Sequence, residues 1–240
     1  MITVRDDNGQ EREVPLIGVS GPSGCGKSTL TKELADRLGM ALYASQTRKI
    51  RAKYGLKNHA DVIIHSVTDA DHLFNFQSEV LDGRSSTAIS EALGNETIGK
   101  LGVIADRTPL DSLVYFLFQS APLLSEEDSY RFLMRVILSL VGYDLIVVLE
   151  PLPMAVEDDG ERIPNKVFQM ASHWLFRESI RFTTSSLRRA EFKTGDKWTP
   201  IPTIIDESAL LRGKVRSVPE RVKLVTDYLE FLKSNPDTQS

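Results

Sequence analysis

GPSGCGKS, residues 21–28, is the stretch that decides the fold of this chain. Gly21 and Gly26 let the backbone turn tightly enough for successive N–H groups to close on phosphate oxygens, and a helix beginning directly afterwards adds its partial positive charge. Lys27 then reaches the β and γ phosphates of a nucleoside triphosphate, with ATP expected. Ser28 offers its hydroxyl to a magnesium ion on the same phosphates, and Thr29 is a lesser candidate. Pro22, Ser23, Gly24 and Cys25 complete the nucleotide-binding stretch. Cys25 occupies an unrestricted position, where a small tolerated side chain is a better account than thiolate chemistry.

Working outward, the apolar run LIGVS from Leu16 leads into the glycines, and STLTKELADRLG follows as an amphipathic helix stopped at Gly39. Strand, loop and helix are the context in which this motif binds phosphate. Further buried-strand patterns are MALYA from 40, LGVIAD from 101, DLIVVLE from 144 and IPTIID from 201. Ser125 with Glu126, Glu127 and Asp128 opens a helix to about Val141, with acids where the helix dipole favours them. Other helices are expected from about Asn165 to Phe192 and from Pro219 to about Leu232, and DADHLFNFQSEVLDGR reads as helical. Asn8-Gly9 between ITVR and EREV suits a hairpin turn or a surface strand that precedes the core. The alternation predicts an α/β fold, a P-loop NTPase with a five-stranded parallel sheet flanked by helices, as one domain over residues 1–240. Residues 45–100 are the hardest to read.

Composition sets bounds. The chain has 240 residues, 41% of them apolar, enough for one substantial core, and a formal net charge of -4 that gives no global attraction to nucleic acid or anionic lipid. The single cysteine excludes an internal disulfide, and the first residues show no secretory pattern, so the cytoplasm is the expected compartment. No apolar run approaches the roughly 20 residues of a membrane helix, and no membrane association is expected. His59, His65, His72 and His173 have no metal-ligand spacing.

Two further constellations carry chemistry. Asp106-Arg107-Thr108 ends the LGVIAD strand, where an α/β sheet gathers its ligands. The aspartate can bind magnesium through water or accept the proton of an attacking hydroxyl, and the arginine can clamp a phosphate; alternatively, Asp106 caps a helix starting near Pro109 and Arg107 pairs with it. The second is PLPMAVEDDGERIPNKVFQ, a polar segment after a strand, which can close over phosphates as a lid spanning about 151–166. Arg162 is the residue expected to reach the transferring group. Arg177 and Arg181 share a helix face and can point at phosphates or at solvent.

With GPSGCGKST, ADRTPLD at a strand end and DGERIPN after a strand, the chain resembles the P-loop nucleoside and nucleotide kinases. Within them it is most similar to the kinase-like ATPase family related to nicotinamide-riboside kinase domains. The resemblance spans Leu16 to about Phe182. It implies that Asp106 takes the base or magnesium role, Arg107 the acceptor-phosphate role and Arg162 the lid role, with Asp159 and Gly160 shaping the turn. Phe76-Gln77 is similar to the element with which some nucleoside kinases hold a base. There is a departure: where many nucleoside kinases carry a carboxylate at the end of the second strand, MALYASQTRK offers Ser45, Gln46, Thr47 and Arg48. Arg48 would suit an acceptor that is already phosphorylated, or a larger one.

The first reading is a kinase moving the γ-phosphate of ATP, with Mg2+, to a nucleoside, nucleotide or related hydroxyl acceptor, by positioning and charge neutralisation. The second keeps the engine and changes the acceptor to a hydroxymethylated pyrimidine base in DNA, extruded or single-stranded. The third is a regulatory ATPase switch signalling by lid movement. No guanine-selecting Asn-Lys-x-Asp element follows the fourth strand. The apolar faces near 113–118 and 130–141 serve as core or as a homodimer interface.

Overall fold

The computed structural model describes residues 2–5, 10–58, 61, 62, 64, 68–152, 165–190, 193, 194, 197, 198, 202–207 and 217–234. Strands β1 (Ile2–Arg5) and β2 (Glu11–Val14) form an antiparallel hairpin in which Ile2 faces Val14, as the Asn-Gly turn predicts. Then come β3 (Leu16–Ser20), α1 (Lys27–Leu38), β4 (Ala41–Tyr43), α2 (Thr47–Lys53), α3 (Ala70–Asp82), α4 (Ser86–Leu93) and β5 (Val103–Asp106). The rest is α5 (Pro109–Gln119), α6 (Glu126–Leu140), β6 (Leu145–Val148), α7 (Lys166–Ala190), the two-residue pair β7 (Lys193–Thr194) and β8 (Lys197–Trp198), β9 (Thr203–Asp206) and α8 (Val218–Ser234).

Five strands make the main sheet in the order β4-β5-β3-β6-β9, all parallel. β3 lies in the middle, and the chain builds one side of it before the other. The growth direction therefore reverses at β3, which opens a crevice at the carboxyl ends of the strands. Every residue of β3 and β6 is buried, as expected for parallel strands covered on both faces.

The period-2 alternation sorts those strands into two cores. Leu16, Val103, Ala105, Ile146 and Val148 face one side, under a layer that includes Leu113 and Phe116 of α5, Phe132 of α6 and Phe176 of α7. Ile17, Val19, Ile104, Leu145 and Val147 face the other, against Leu30 and Leu34 of α1 and Val222 and Val225 of α8. The helices near 113–118 and 130–141 are thus mostly core: Phe116 stacks on Phe132 with centroids 3.9 Å apart, while Leu117, Phe118 and Leu138 remain exposed. A small third cluster, Leu56, Val62, Leu73, Phe76 and Val80, joins α3 to the segment after α2. This is the part of the chain hardest to read from sequence, although α3 forms where DADHLFNFQSEVLDGR reads as helical. Among the described residues no helix is long and apolar enough to cross a membrane.

Two close approaches fix the sheet against its neighbours. A Cβ on Gly18 would lie 2.2 Å from Thr108 Cγ2 and 2.8 Å from Tyr143 Cε1, so α5 can begin where it does only because β3 has no side chain there. Thr108, not Asp106, caps that helix. Its hydroxyl accepts from Leu110 N at 3.1 Å while Asp111 Oδ2 accepts from Thr108 N at 3.1 Å, a reciprocal cap that leaves Asp106 available for other work.

Candidate functional site

The glycine-rich loop is held from outside by side chains of the last two long helices. Gln169 Nε2 of α7 donates to Ser23 O at 2.7 Å, and Arg221 Nη1 of α8 donates to Cys25 O at 2.7 Å. Lys27 Nζ donates to Gly21 O at 2.7 Å and Pro22 O at 2.6 Å from within. Gly26, with φ of 88°, precedes α1 without any side-chain cap, so the first-turn N–H groups and their dipole are presented to an anion. Gly21 adopts φ of 141°, and a Cβ there would sit 2.8 Å from Leu149 O. Arg221 is itself a structural centre. It is 1% exposed, Nε donates to Glu207 Oε1 at 2.7 Å, and Glu207 Oε2 accepts from Glu150 N at 2.8 Å, which locks α8, β9, the end of β6 and the loop together.

At the end of β5, Asp106 Oδ2 accepts from Ser28 Oγ at 2.7 Å. Its other oxygen, Oδ1, is buried with no hydrogen-bond partner among the described residues. A hydroxyl and a carboxylate in contact, with a buried oxygen left over, suit magnesium, a hard cation that takes few protein ligands and completes its shell with phosphate and water. Among the described residues no cluster of three His, Cys, Asp or Glu offers an all-protein cage.

Arg107 is the one described non-glycine residue with positive φ, 83°. Such a backbone costs about 1–3 kcal/mol and is kept only where its surroundings determine it. Here Arg107 N donates to Val19 O at 3.0 Å, its guanidinium pairs with Asp111 Oδ1 at 3.1 Å, and it lies 5.7 Å from the centre of the Tyr115 ring. Burial pulls the guanidinium down, but Tyr115, Asp111 and Asp106 together hold it above its ordinary value, so it stays cationic.

Beside this edge lies a cavity of about 420 Å³, solvent at its mouth included, lined by Thr47 and Arg51 of α2, Phe76, Gln77 and Val80 of α3, Val62, Arg84, Arg107, and Tyr115 and Gln119 of α5. The part of it that water-sized molecules can occupy is about 40 Å³, well below the roughly 300 to 1,000 Å³ of small-molecule sites, so a ligand there needs the walls to part. Gln77 Nε2 donates to Gln119 Oε1 at 2.8 Å, two buried amides fixing each other. A smaller space of about 210 Å³ shares Thr47, Val80 and Arg84 with it and reaches Tyr43, Ser45, Gln46 and Asp106. Arg84 is therefore the wall between them. It is 6% exposed; its Nη1 donates to Ser112 Oγ at 2.6 Å and its Nη2 to Thr47 Oγ1 at 2.9 Å, while Tyr143 OH anchors its carbonyl at 2.9 Å.

Of the residues singled out from sequence, the loop 21–29, Asp106, Arg107 and Gln77 gather around this edge. Arg48 is exposed on α2 and lines neither space; Arg51, three residues on, lines the larger. Arg162 and most of the 151–166 segment lie outside the described residues. Arg51, Arg84, Tyr115, Gln119 and Arg221 were missed. The one signal for them was helical phase: Arg51 is three residues from Arg48, and Gln119 falls on the helix that follows Asp106-Arg107.

The family described as AAA domain matches residues 16–183, well over half of the chain. No curated protein sequence matches. Among solved structures, NadR protein in complex with NR superposes with a TM-score of 0.58 at 16% identity, covering 90% of this chain and 51% of its own. This chain thus spans about half the length of that protein. Deoxyadenosine kinase from M. mycoides with dCMP and dCDP bound gives 0.57 at 14% identity, covering 90% of this chain and 99% of its own; the same enzyme with dCTP gives 0.54. At such identities the likeness speaks for the fold.

Proposed function

We propose, from the premise that this chain belongs to the AAA domain family and shares its fold with P-loop nucleoside kinases, that it is an ATP-dependent kinase acting on a nucleoside or nucleotide acceptor. The observation that carries this is the contact between Ser28 and Asp106, 2.7 Å, which joins the phosphate loop to a cavity-bearing edge. A nucleotide-driven switch has no need of a crevice lined by arginines and amides within reach of its phosphate loop. The bound nucleosides and nucleotides of NadR and of deoxyadenosine kinase support the same class of acceptor.

The loop amides and the α1 N-terminus hold the triphosphate, and Lys27 turns from its own loop carbonyls to the β and γ phosphates. Ser28 and Asp106 would hold magnesium, which would supply positive charge against the charge shed onto the leaving diphosphate. Arg107 holds the acceptor beside Asp106. Gln77, steadied by Gln119, presents an amide to the acceptor's base, and Phe76 and Tyr115 give it apolar and aromatic walls. Arg48 from the exposed side of α2 and Arg162 from the lid complete the expected set. In-line placement and charge neutralisation are sufficient for phosphoryl transfer; no covalent enzyme intermediate is required.

The test is ADP production from magnesium-ATP by the purified protein, alone and with nucleosides, nucleoside monophosphates and hydroxymethylated DNA, with Lys27→Ala as control. Acceleration by one acceptor that itself gains a phosphate upholds the kinase reading. A slow, Lys27-dependent hydrolysis that no acceptor changes would replace it with the regulatory ATPase.

A further inference from the structure

Burying a cation is costly unless an anion meets it. The larger cavity is lined by the guanidiniums of Arg51, Arg84 and Arg107, and no carboxylate lines it. Asp111, buried beside them, is committed to Arg107 Nη1 at 3.1 Å and to the cap of α5 at Thr108 N. Arg84 makes its hydrogen bonds, among the described residues, only to the neutral oxygens of Ser112, Thr47 and Thr108. Burial pushes its guanidinium down to about 10, with Asp111 pulling it partly back, so it remains charged at neutral pH. The fold therefore maintains a buried cation, pinned at its backbone by Tyr143 and at its nitrogens by hydroxyls, whose charge is balanced by no direct carboxylate partner among the described residues.

The acceptor side is equally one-sided in its bases. Of the residues lining the two connected spaces, Asp106 alone carries a carboxylate. Its Oδ2 is engaged by Ser28 at the phosphate loop, and its buried Oδ1 is the oxygen assigned above to magnesium. At the end of β4, where the chain enters the smaller space, the side chains are Ser45 and Gln46, which are poor proton acceptors at neutral pH. A neutral hydroxyl needs a base to lose its proton as it attacks, whereas a phosphate dianion attacks through an oxygen that carries no proton.

We propose that the acceptor is itself a phosphomonoester, a nucleoside monophosphate, whose dianionic phosphate is held by Arg84, Arg107 and Arg51 and receives the second phosphoryl group on one of its own oxygens. This rests on the kinase reading above and narrows it. The bond between the γ-phosphorus and the β–γ bridging oxygen breaks, its electron pair leaving with ADP; a bond from the acceptor phosphate oxygen to the same phosphorus forms, giving a nucleoside diphosphate. No proton is transferred in that step. The arginines offset the repulsion between two polyanions brought together, and their forked donors fit phosphate oxygens in pairs. The amide pair Gln77–Gln119, with Phe76 and Tyr115, remains for the base at the far end of the cavity.

The experiment compares each nucleoside with its own 5′-monophosphate as acceptor at equal concentration, following ADP release and identifying the product by ³¹P NMR, with the wild type, Arg84→Met and Arg84→Lys. The expected result is turnover with a monophosphate and formation of a diphosphate, at a rate at least tenfold above that with the matched nucleoside. Arg84→Met raises the KM for the monophosphate by about 10- to 100-fold, and Arg84→Lys recovers part of it. Circular dichroism checks that both variants fold, and the wild-type comparison stands without them. A nucleoside that is phosphorylated as well as its monophosphate, with a monophosphate as product, overturns this inference while the kinase reading survives. Hydrolysis that neither acceptor class changes overturns both.

Discussion

The phosphate loop and the acceptor cavity meet at Asp106 and are built in different ways. The loop is contiguous in sequence, residues 21–28, and its shape is set by backbone: positive φ at Gly21, Gly24 and Gly26, and carbonyls pinned by Gln169, Arg221 and Lys27. The cavity is assembled from side chains drawn from residues 47–119, on three helices and the turns between them. A backbone-built site binds what all nucleoside triphosphates share. One built from side chains can be retuned residue by residue without disturbing the sheet, so the chain's particular substrate is written there.

That contrast can be broken by mutation. Lys27→Ala should abolish turnover by about 10³-fold with little change in the melting temperature, measured as kcat for ADP release and by thermal unfolding. If stability falls with activity, the loop depends on this side chain for its shape as well as for its charge. Arg221→Met should do the opposite, leaving every proposed contact to the phosphates in place but stranding Glu207, 1% exposed, as an unpaired buried carboxylate. A loss of about 3–5 kcal/mol in denaturant unfolding is expected, with a raised KM for ATP as the Cys25 carbonyl is released. An unchanged KM for ATP would show that the loop holds its form without α8.

Smaller effects sharpen the cavity side. Gln77→Leu should raise the acceptor's KM roughly tenfold and leave the KM for ATP unchanged, since Gln77 touches Gln119 and the cavity but not the loop. Equal changes in both would mean that the two regions are energetically one. The least effect belongs to His173 on α7, whose pKa is lowered by burial against the opposing pull of Glu150, Asp206 and Glu207. Its folded value lies below its unfolded one, so stability is full above the ordinary histidine range and is lost as pH falls through the folded value. Unfolding midpoints between pH 7.5 and 5 should decline less in His173→Gln than in the wild type.

The same difference explains what could be read before any coordinates. The loop, the five strands, the Asn-Gly hairpin and the Ser125 cap were legible because each is a local pattern with a local cause: a turn that needs glycine, alternation that needs two buried faces, an end that needs a cap. The cavity was not. Arg51 looked like one charge among several in TRKIRAK, and Arg84 like a residue after a helix-ending glycine. Only folding puts them in one wall with Arg107. Arg48 was named for its place after the second strand, and sequence gives spacing along a helix but not the direction in which its face is turned. Arg221 and Glu207 drew no notice, since burial of a charge leaves no mark in composition.

Lys27 has a consequence for chemical labelling. Its ammonium is 5% exposed and is bonded to carbonyls of the loop it serves, Gly21 and Pro22. Amine acylation requires a free lone pair and room for a tetrahedral adduct, and both are denied while those carbonyls hold the donor. A neutral acylating reagent should therefore modify the many surface lysines and spare this one, whereas an acyl phosphate of a nucleotide brings its own anions to draw the amine out. Selectivity among the chain's amines would then be decided by the reagent's charge, with no need for an intrinsically more reactive lysine.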